Sequence, residues 1–511
     1  MKKIYWILVL IITIFVGCTD LDEELNDTVE GSVAKESVDT QSLLTAAYQA
    51  LRIFDTQDNI FALQEHTSDE MAGPTRGPDW DDAGIWRVLH THNWTSSHTY
   101  INSAYNGLLS GIFRATQVLE FAPTTSQAAE ARYLRAFFSF HMVDNFGLVL
   151  GREPGEDLTQ PPSIYLNRAE GIEFVISELE EIMDDLPSSG GAAVATQNAA
   201  HTLLAKAYLN KAVFLATDEN TNGASAGPFT FSAADMNKVI EHCDAVMGSG
   251  MYTLEDKYFD NFSPTNTDDS SENIFVSNNV QGSNTANTHS RWHMTLHYNN
   301  QPDGWNGFVT LSDIYDLYEE DDMRRSYTPD YFEGNTGMNA GYLVGQQYAA
   351  DGTPLQDRQG GPLAFTPEFS LTSSNEVNGI RVIKYPPDFV TNNTPGNDYV
   401  FFRLADVMLM KAEAILRGGN ATNGDTPVGL VNDIRSERNA TDLGSIDLTS
   451  LLEERAREFY WEGWRRNDQI RFSTYLDAFQ EKPVSTETYL LFPIPPAALS
   501  TNPNLIQNPG Y

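Results

Sequence analysis

Tryptophan placement offers the first usable chemistry in this chain. Of its eight tryptophans, Trp80, Trp86, Trp94, Trp292 and Trp305 lie in two stretches rich in Gly, Asp, Asn and Pro, residues 66–98 and 253–400. A tryptophan that only fills a core is expected on a helix face, as we expect of Trp461 and Trp464, yet the regular stretch 101–247 holds none. An indole held in a polar loop presents a flat apolar face, and neighbouring Asp, Asn and Arg can bond hydroxyl groups. A sugar ring, apolar on its faces and polar at its rim, suits such a surface. The alternative is that these indoles pin the loops as satellite hydrophobic clusters. For any one of them the sequence leaves both readings open.

Other chemistry finds less support. His289, His293 and His297 recur at four-residue spacing, which on a helix would align them for a metal. The surrounding Asn, Gly and Thr do not favour a long helix, and no carboxylate completes a ligand set, so no metal is expected. His90 and His92 read as loop packing. Seventy acidic residues guarantee carboxylate pairs somewhere, so such pairs carry no argument for a glycosidase. H-E-x-x-H and G-x-x-x-x-G-K-[ST] are absent, and we expect no hydrolase motif, no enzymatic activity and no cofactor. The run Glu319-Glu320-Asp321-Asp322 lacks the alternating ligands of a calcium loop and reads as a solvated face. Cys243 sits in an apolar-periodic stretch and reads as a small buried hydrophobe.

Helical periodicity dominates the elements that must position these groups. Apolar residues recur at three- and four-residue spacing over 41–54, 101–121, 126–146, 167–186, 198–216, 232–247, 402–416 and 449–472. Gly418-Gly419 closes one helix, and Ser450 with Glu453 offers a capping box for another. Small residues around Ala199-Ala200 and within 203–208 permit close helix approach, as in helical-hairpin repeats, although no 34-residue period is visible. Residues 253–400 carry only a short helical stretch near 311–318. The proline-rich C-terminus from Phe492 onward is expected to run extended over the helices. No linker divides the body, so we expect one mainly α domain over 41–511. Its helical scaffold lies at about 41–252 and 400–490, with irregular ligand-face regions at 66–98 and 253–400.

The first seventeen residues read as a lipoprotein export signal. Lys2 and Lys3 are basic, 4–16 is apolar apart from Thr13, and Gly17 precedes Cys18, with Phe15 where a lipobox usually has Leu. The run is too short to span a bilayer, which needs about 20 residues. Cys18 is therefore the expected lipid acceptor, and the acidic stretch after it, to residue 40, reads as a solvated tether. With Cys18 lipidated, Cys243 has no disulfide partner. A formal charge of −38 repels phosphate backbones, which excludes nucleic acid as a partner and leaves the lipid as the evident membrane anchor.

Five segments, taken in order, resemble the SusD/RagB family of outer-membrane nutrient-binding lipoproteins. Arg132-Tyr133-Leu134-Arg135-Ala136-Phe137 with Phe146-Gly147 is similar to the family's R-x-x-R-A-F…F-G helix. Arg403-Leu404-Ala405-Asp406-Val407-Met408-Leu409 resembles R-x-A-D-V-L-L, and Val431-Asn432-Asp433-Ile434-Arg435 the helix that follows. Glu454-Arg455 with Glu458-Phe459, then Glu462-Gly463-Trp464-Arg465-Arg466-Asn467-Asp468, is similar to E-R-x-x-E-F…E-G-x-R-x-x-D. The ending Pro493-Ile494-Pro495 with Asn502-Pro503-Asn504-Leu505 also matches.

The resemblance implies an α-helical fold with tetratricopeptide-like hairpins and an irregular ligand face. It implies an outer-membrane, lipid-anchored protein that captures oligosaccharides, without catalysis, for a SusC-like TonB-dependent transporter that it covers as a lid. By region, Trp80, Trp86, Trp292 and Trp305 become stacking candidates, with Trp94 and Tyr298 beside them and Asp69 and Arg76 as polar contacts. A RagB-like peptide-uptake role is the alternative. Glu462 and Arg466, one turn apart on a continuous helix, are expected to pair.

Overall fold

Apolar spacing and capping chemistry together set the helices of the scaffold. In the computed structural model, which describes residues 38–217, 223–283 and 288–511, helices run over Thr99–Glu120, Thr125–Phe146, Arg168–Ile182, Gln197–Leu215 and Ala233–Gly248. Thr124 with Gln127, and Asn167 with Glu170, form reciprocal capping boxes that satisfy the first free N–H groups. Each of these helices packs on the next, and Ala233–Gly248 then packs on Leu404–Leu416, which packs on Pro427–Glu437. This serial stacking of neighbours is the hairpin architecture expected from the small residues near Ala199. The export signal, Cys18 and nearly all of the acidic tether lie outside the described residues, and no described helix is long and apolar enough to cross a membrane.

Helix Thr125–Phe146 is buried on every face from Tyr133 onward, so it forms the axis of the core. Gly111 lets it approach Thr99–Glu120 closely, because a Cβ there would meet the Phe138 ring at 2.6 Å. Cys243 is fully buried, with burial pushing its thiol well above the usual range.

Short strands, which the sequence reading does not anticipate, organise the irregular region. Asn273–Ser277 pairs antiparallel with Tyr399–Arg403 and delivers the chain directly into helix Leu404–Leu416. Ser326–Tyr327, Ala340–Leu343 and Arg381–Ile383 form a three-stranded sheet, and Gly345–Gln346 pairs with Ala364–Phe365. Strands this short hold too few residues to show alternation.

The stretch 449–472 is two helices rather than one. Leu448–Phe459 is capped by Asp447 with Ser450, three residues before the expected box, and Arg465–Arg471 follows a turn. Trp461 (φ 57°) and Gly463 (φ 81°) take left-handed conformations in that turn. Glu462 therefore faces Arg403 and Lys384 (2.8 Å each), while Arg466 turns to Asp144 (3.1 Å), so the expected Glu462–Arg466 pair does not form. Two buried carboxyl groups fix the turn: Glu65 accepts from the Gly463 N–H (2.6 Å) and Glu70 from the Trp461 N–H (3.0 Å).

Many of the charged motif residues form a buried ionic lattice. Glu458 binds Arg403, Arg324 (2.9 Å) and Arg438 (3.0 Å), and Glu272 binds Arg403 (2.8 Å) and Arg438 (2.9 Å). Asp406 takes Lys206 (2.7 Å) and Arg455 (3.1 Å). Burial alone would raise the Glu458 carboxyl, but Arg438, Arg403 and Arg324 hold it well below the usual range. Such charges survive burial only because nearly every oxygen is paired. Asp322 belongs to this lattice through Arg324 (2.7 Å), so the run 319–322 is not wholly a solvated face. The C-terminal stretch is likewise more than an extended strap: Phe492 and Ile494 are buried, and Pro496–Thr501 is helical.

Candidate functional site

A loop of unusual backbone carries the first indole. Gly77, Trp80, Asp82, Ala83 and Gly84 all have positive φ, between 41° and 78°. For the non-glycine members that conformation costs roughly 1–2 kcal/mol each, and such strain gathers at binding sites. Cross-links hold the loop in place. Arg76, buried, donates to the carbonyls of Asn375 and Gly307, and Arg87 bonds Asp81 at 2.7 Å.

Trp80 then lies flat over Gly307, where a Cβ would come within 2.4 Å of the indole. Its N–H donates to the Trp305 carbonyl (2.7 Å), which ties residues 77–84 to the segment around Trp305. Phe308 backs both Trp80 (5.3 Å) and Trp86 (4.7 Å). Trp86, on helix Ile85–His90, is 3% exposed and shows only part of its ring; its N–H is held by Asp82 (2.9 Å), and Tyr100 lies 4.8 Å from it. Trp305 is 52% exposed, an unusual position for so large an apolar surface.

These groups wall a cleft of about 520 Å³, completed by Met294, Tyr298, Asp79 and Gln57. Tyr298 donates to Asp79 (3.1 Å) and carries the Arg358 guanidinium 4.0 Å above its ring. Burial, then Asp58 and Asp82, push the Tyr100 hydroxyl up to about 12, so it stays protonated. The cleft thus offers aromatic faces beside polar groups that can receive or donate hydrogen bonds.

Of the residues chosen from sequence, Trp80, Trp86, Trp305 and Tyr298 meet in this cleft. The other four do not. Trp94 is 3% exposed and held by Tyr511 (2.7 Å) between Tyr489 and Phe492. Trp292 is 2% exposed and belongs to the main core. Asp69 binds Arg465 through both oxygens (2.7 and 2.8 Å), and Arg76 shapes the loop from beneath. Gln57, Asp82, Tyr100 and Met294 were missed; the one available signal was an aspartate a helical turn before Trp86.

Other candidates resolve into packing. Helix Ser290–His293 ends before the third histidine, and His297 bonds Glu376 (3.1 Å). Among the described residues, no group of His, Cys, Asp and Glu is placed to hold a metal ion. His90 sits between the carbonyls of Met71 and Gln480. Gly223-Ala224-Ser225-Ala226-Gly227 does have the G-x-S-x-G form, contrary to the expectation that no hydrolase motif occurs. It lacks the strand–turn–helix setting of a nucleophile elbow, and the Ser225 hydroxyl accepts from the Gly227 N–H (3.1 Å).

Comparison with known proteins gives a consistent likeness. The SusD family model matches residues 265–489. The starch-binding protein SusD of Bacteroides thetaiotaomicron is 25% identical over 442 residues, 78% of this chain and 75% of that protein. Residues 265–489 thus match the SusD family, and the curated relatives extend the likeness over most of the chain. A SusD-like protein of Bacteroides ovatus is also 25% identical, over 75% of this chain and 65% of its own length. Solved SusD-like folds superpose along nearly the whole chain. The surface glycan-binding protein A of Bacteroides fluxus has a TM-score of 0.67 at 20% identity, covering 95% of this chain and 100% of its own. A laminarin-binding SusD-like protein gives 0.67 at 19%, covering 92% and 99%.

Proposed function

We propose that this SusD-like protein is a non-enzymatic, cell-surface glycan-binding lipoprotein that captures oligosaccharides in the Trp80–Trp86–Trp305 cleft. The observation that carries the reading is Trp305: a half-exposed indole in a pre-shaped cleft with Trp80 anchored to its backbone. Relatives named for starch, laminarin and surface glycans favour a sugar over a peptide. Cys18 would carry the lipid anchor on the outer membrane, and a SusC-like TonB-dependent transporter would receive the ligand.

The test is retardation of the Trp80→Ala/Trp305→Ala variant in native gels containing polysaccharides, alongside a peptide pool. Loss of retardation with an unchanged circular dichroism spectrum is expected. Unchanged retardation, or binding only to peptides, sinks the reading. For the transporter, Cys18→Ala should leave glycan binding intact and abolish surface retention and uptake; surviving uptake removes the anchor from the mechanism.

A further inference from the structure

The cleft's hydrogen-bonding groups divide sharply by charge. Its charged acceptors are the carboxylates Asp79 and Asp82, with Asp81 exposed beside them. One oxygen of each lining carboxylate is committed: Asp79 Oδ2 to Tyr298 and Arg358 (3.1 Å each), Asp82 Oδ2 to the Trp86 N–H. Among the described residues, no protein group donates to Asp79 Oδ1 or Asp82 Oδ1, so each lining carboxylate keeps one oxygen open to a ligand.

The cations beside them are already paired. Arg358, which reaches the cleft over Tyr298, is already neutralised by Asp79 and by Glu376 (2.5 Å). Arg87, behind the loop, is held by Asp81 (2.7 Å). The donors left to a ligand are uncharged: the Tyr100 hydroxyl, the Gln57 amide and the indole N–H of half-exposed Trp305. A sugar hydroxyl satisfies both sets, donating to a carboxylate and accepting from a neutral donor. A carboxylate or sulfate on the sugar can donate nothing, and it meets two negative charges within a chain whose formal charge is −38.

We propose that the cleft selects uncharged oligosaccharides and rejects those bearing uronate or sulfate groups. The inference rests on the glycan-binding reading and narrows it to a substrate class. Repulsion of this kind is a specificity device, since it acts against the wrong ligand without strengthening the right one.

Affinity gels and calorimetry with the purified full chain test it. The probes are neutral glucans, mannans, xylans and galactans, together with a sulfated galactan and a polyuronate in native and carboxyl-reduced forms. The expected result is retention of at least one neutral polymer, unaffected by added salt, and at least about tenfold preference for uncharged over charged forms. Asp79→Asn/Asp82→Asn should shrink that preference. Equal binding of native and reduced polyuronate, tight binding of the sulfated polymer, or binding that salt weakens would overturn the proposal. Retention of no polysaccharide of either charge sinks the glycan reading itself, and this inference with it.

Discussion

The indole N–H of Trp80 and the carbonyl of Trp305 meet at 2.7 Å across 225 residues of sequence. One hydrogen bond therefore joins the two loop regions that build the cleft. It sets the tilt of one aromatic plate against the backbone of the other.

That geometry separates two kinds of tryptophan. Trp305→Ala removes an exposed plate, and the expected effect is a loss of glycan affinity of tenfold or more, about 1.4 kcal/mol, with little change in thermal midpoint. Trp94→Ala and Trp292→Ala empty buried sites and should cost about 3–5 kcal/mol in denaturant unfolding. Calorimetric titration together with urea melts distinguishes the two; a binding loss confined to Trp94→Ala would contradict the assignment.

Gly307 gives a gentler probe of the same plate. Gly307→Val places a side chain where the Trp80 ring lies, since even a Cβ comes within 2.4 Å of it. We expect a shifted tryptophan emission maximum and weakened glycan binding in a folded protein. Intact affinity would show that the Trp80 position is not needed.

The ionic lattice should respond to loss of one member far more than any surface pair. Arg403→Met removes a buried cation that Glu458, Glu462 and Glu272 all share, and about 3–5 kcal/mol of stability should be lost. Lys238→Met breaks a pair whose side chains are 44% and 60% exposed and should leave the midpoint almost unmoved. Equilibrium urea unfolding of both variants checks the contrast.

Acid groups of opposite character shape the pH profile. Burial raises the Asp55 carboxyl to about 7, against Ser277 and Arg291, and raises Glu65 to about 7 against the Gly463 N–H. Between about pH 4 and 7 the folded chain holds protons there that the unfolded chain has released. Stability from these groups therefore falls as pH rises through that window, by up to about 1.4 kcal/mol per pH unit for each. Glu454 behaves the other way: Arg324, Arg457 and Arg435 outweigh burial and hold it at about 2, so its contribution is present above the usual carboxylate range and lost as pH falls toward 2. Asp55→Asn should flatten the slope between pH 4 and 7 by one proton's worth in urea titrations at several pH values. An unchanged slope would mean that Asp55 is ionised throughout.

The scaffold was legible where apolar spacing was local. Helices at 99–120 and 125–146 begin and end within two residues of their sequence expectation because their cores and caps lie in the same few turns. The break at 460–464 was not, since Trp461 and Trp464 continue the apolar rhythm while carboxyl groups at Glu65 and Glu70, far upstream, bend the backbone. The cleft was half legible for a similar reason. Trp94 and Trp305 both sit in polar stretches, and only the packing of Tyr489 and Phe492 over Trp94 decides which indole is exposed. Gln57 and Tyr100 carried no signal, because their flanking residues read as ordinary helix ends.

The bond from the Gly463 N–H to Glu65 closes a loop of 398 residues. Until the last part of the chain arrives, the segment that leads into the first aromatic loop holds buried-type acids without their donors. Closing so long a loop comes late and slowly. A chain halted before residue 463 lacks the N–H that Glu65 accepts from, so the segment leading into the first aromatic loop loses one of its two anchors.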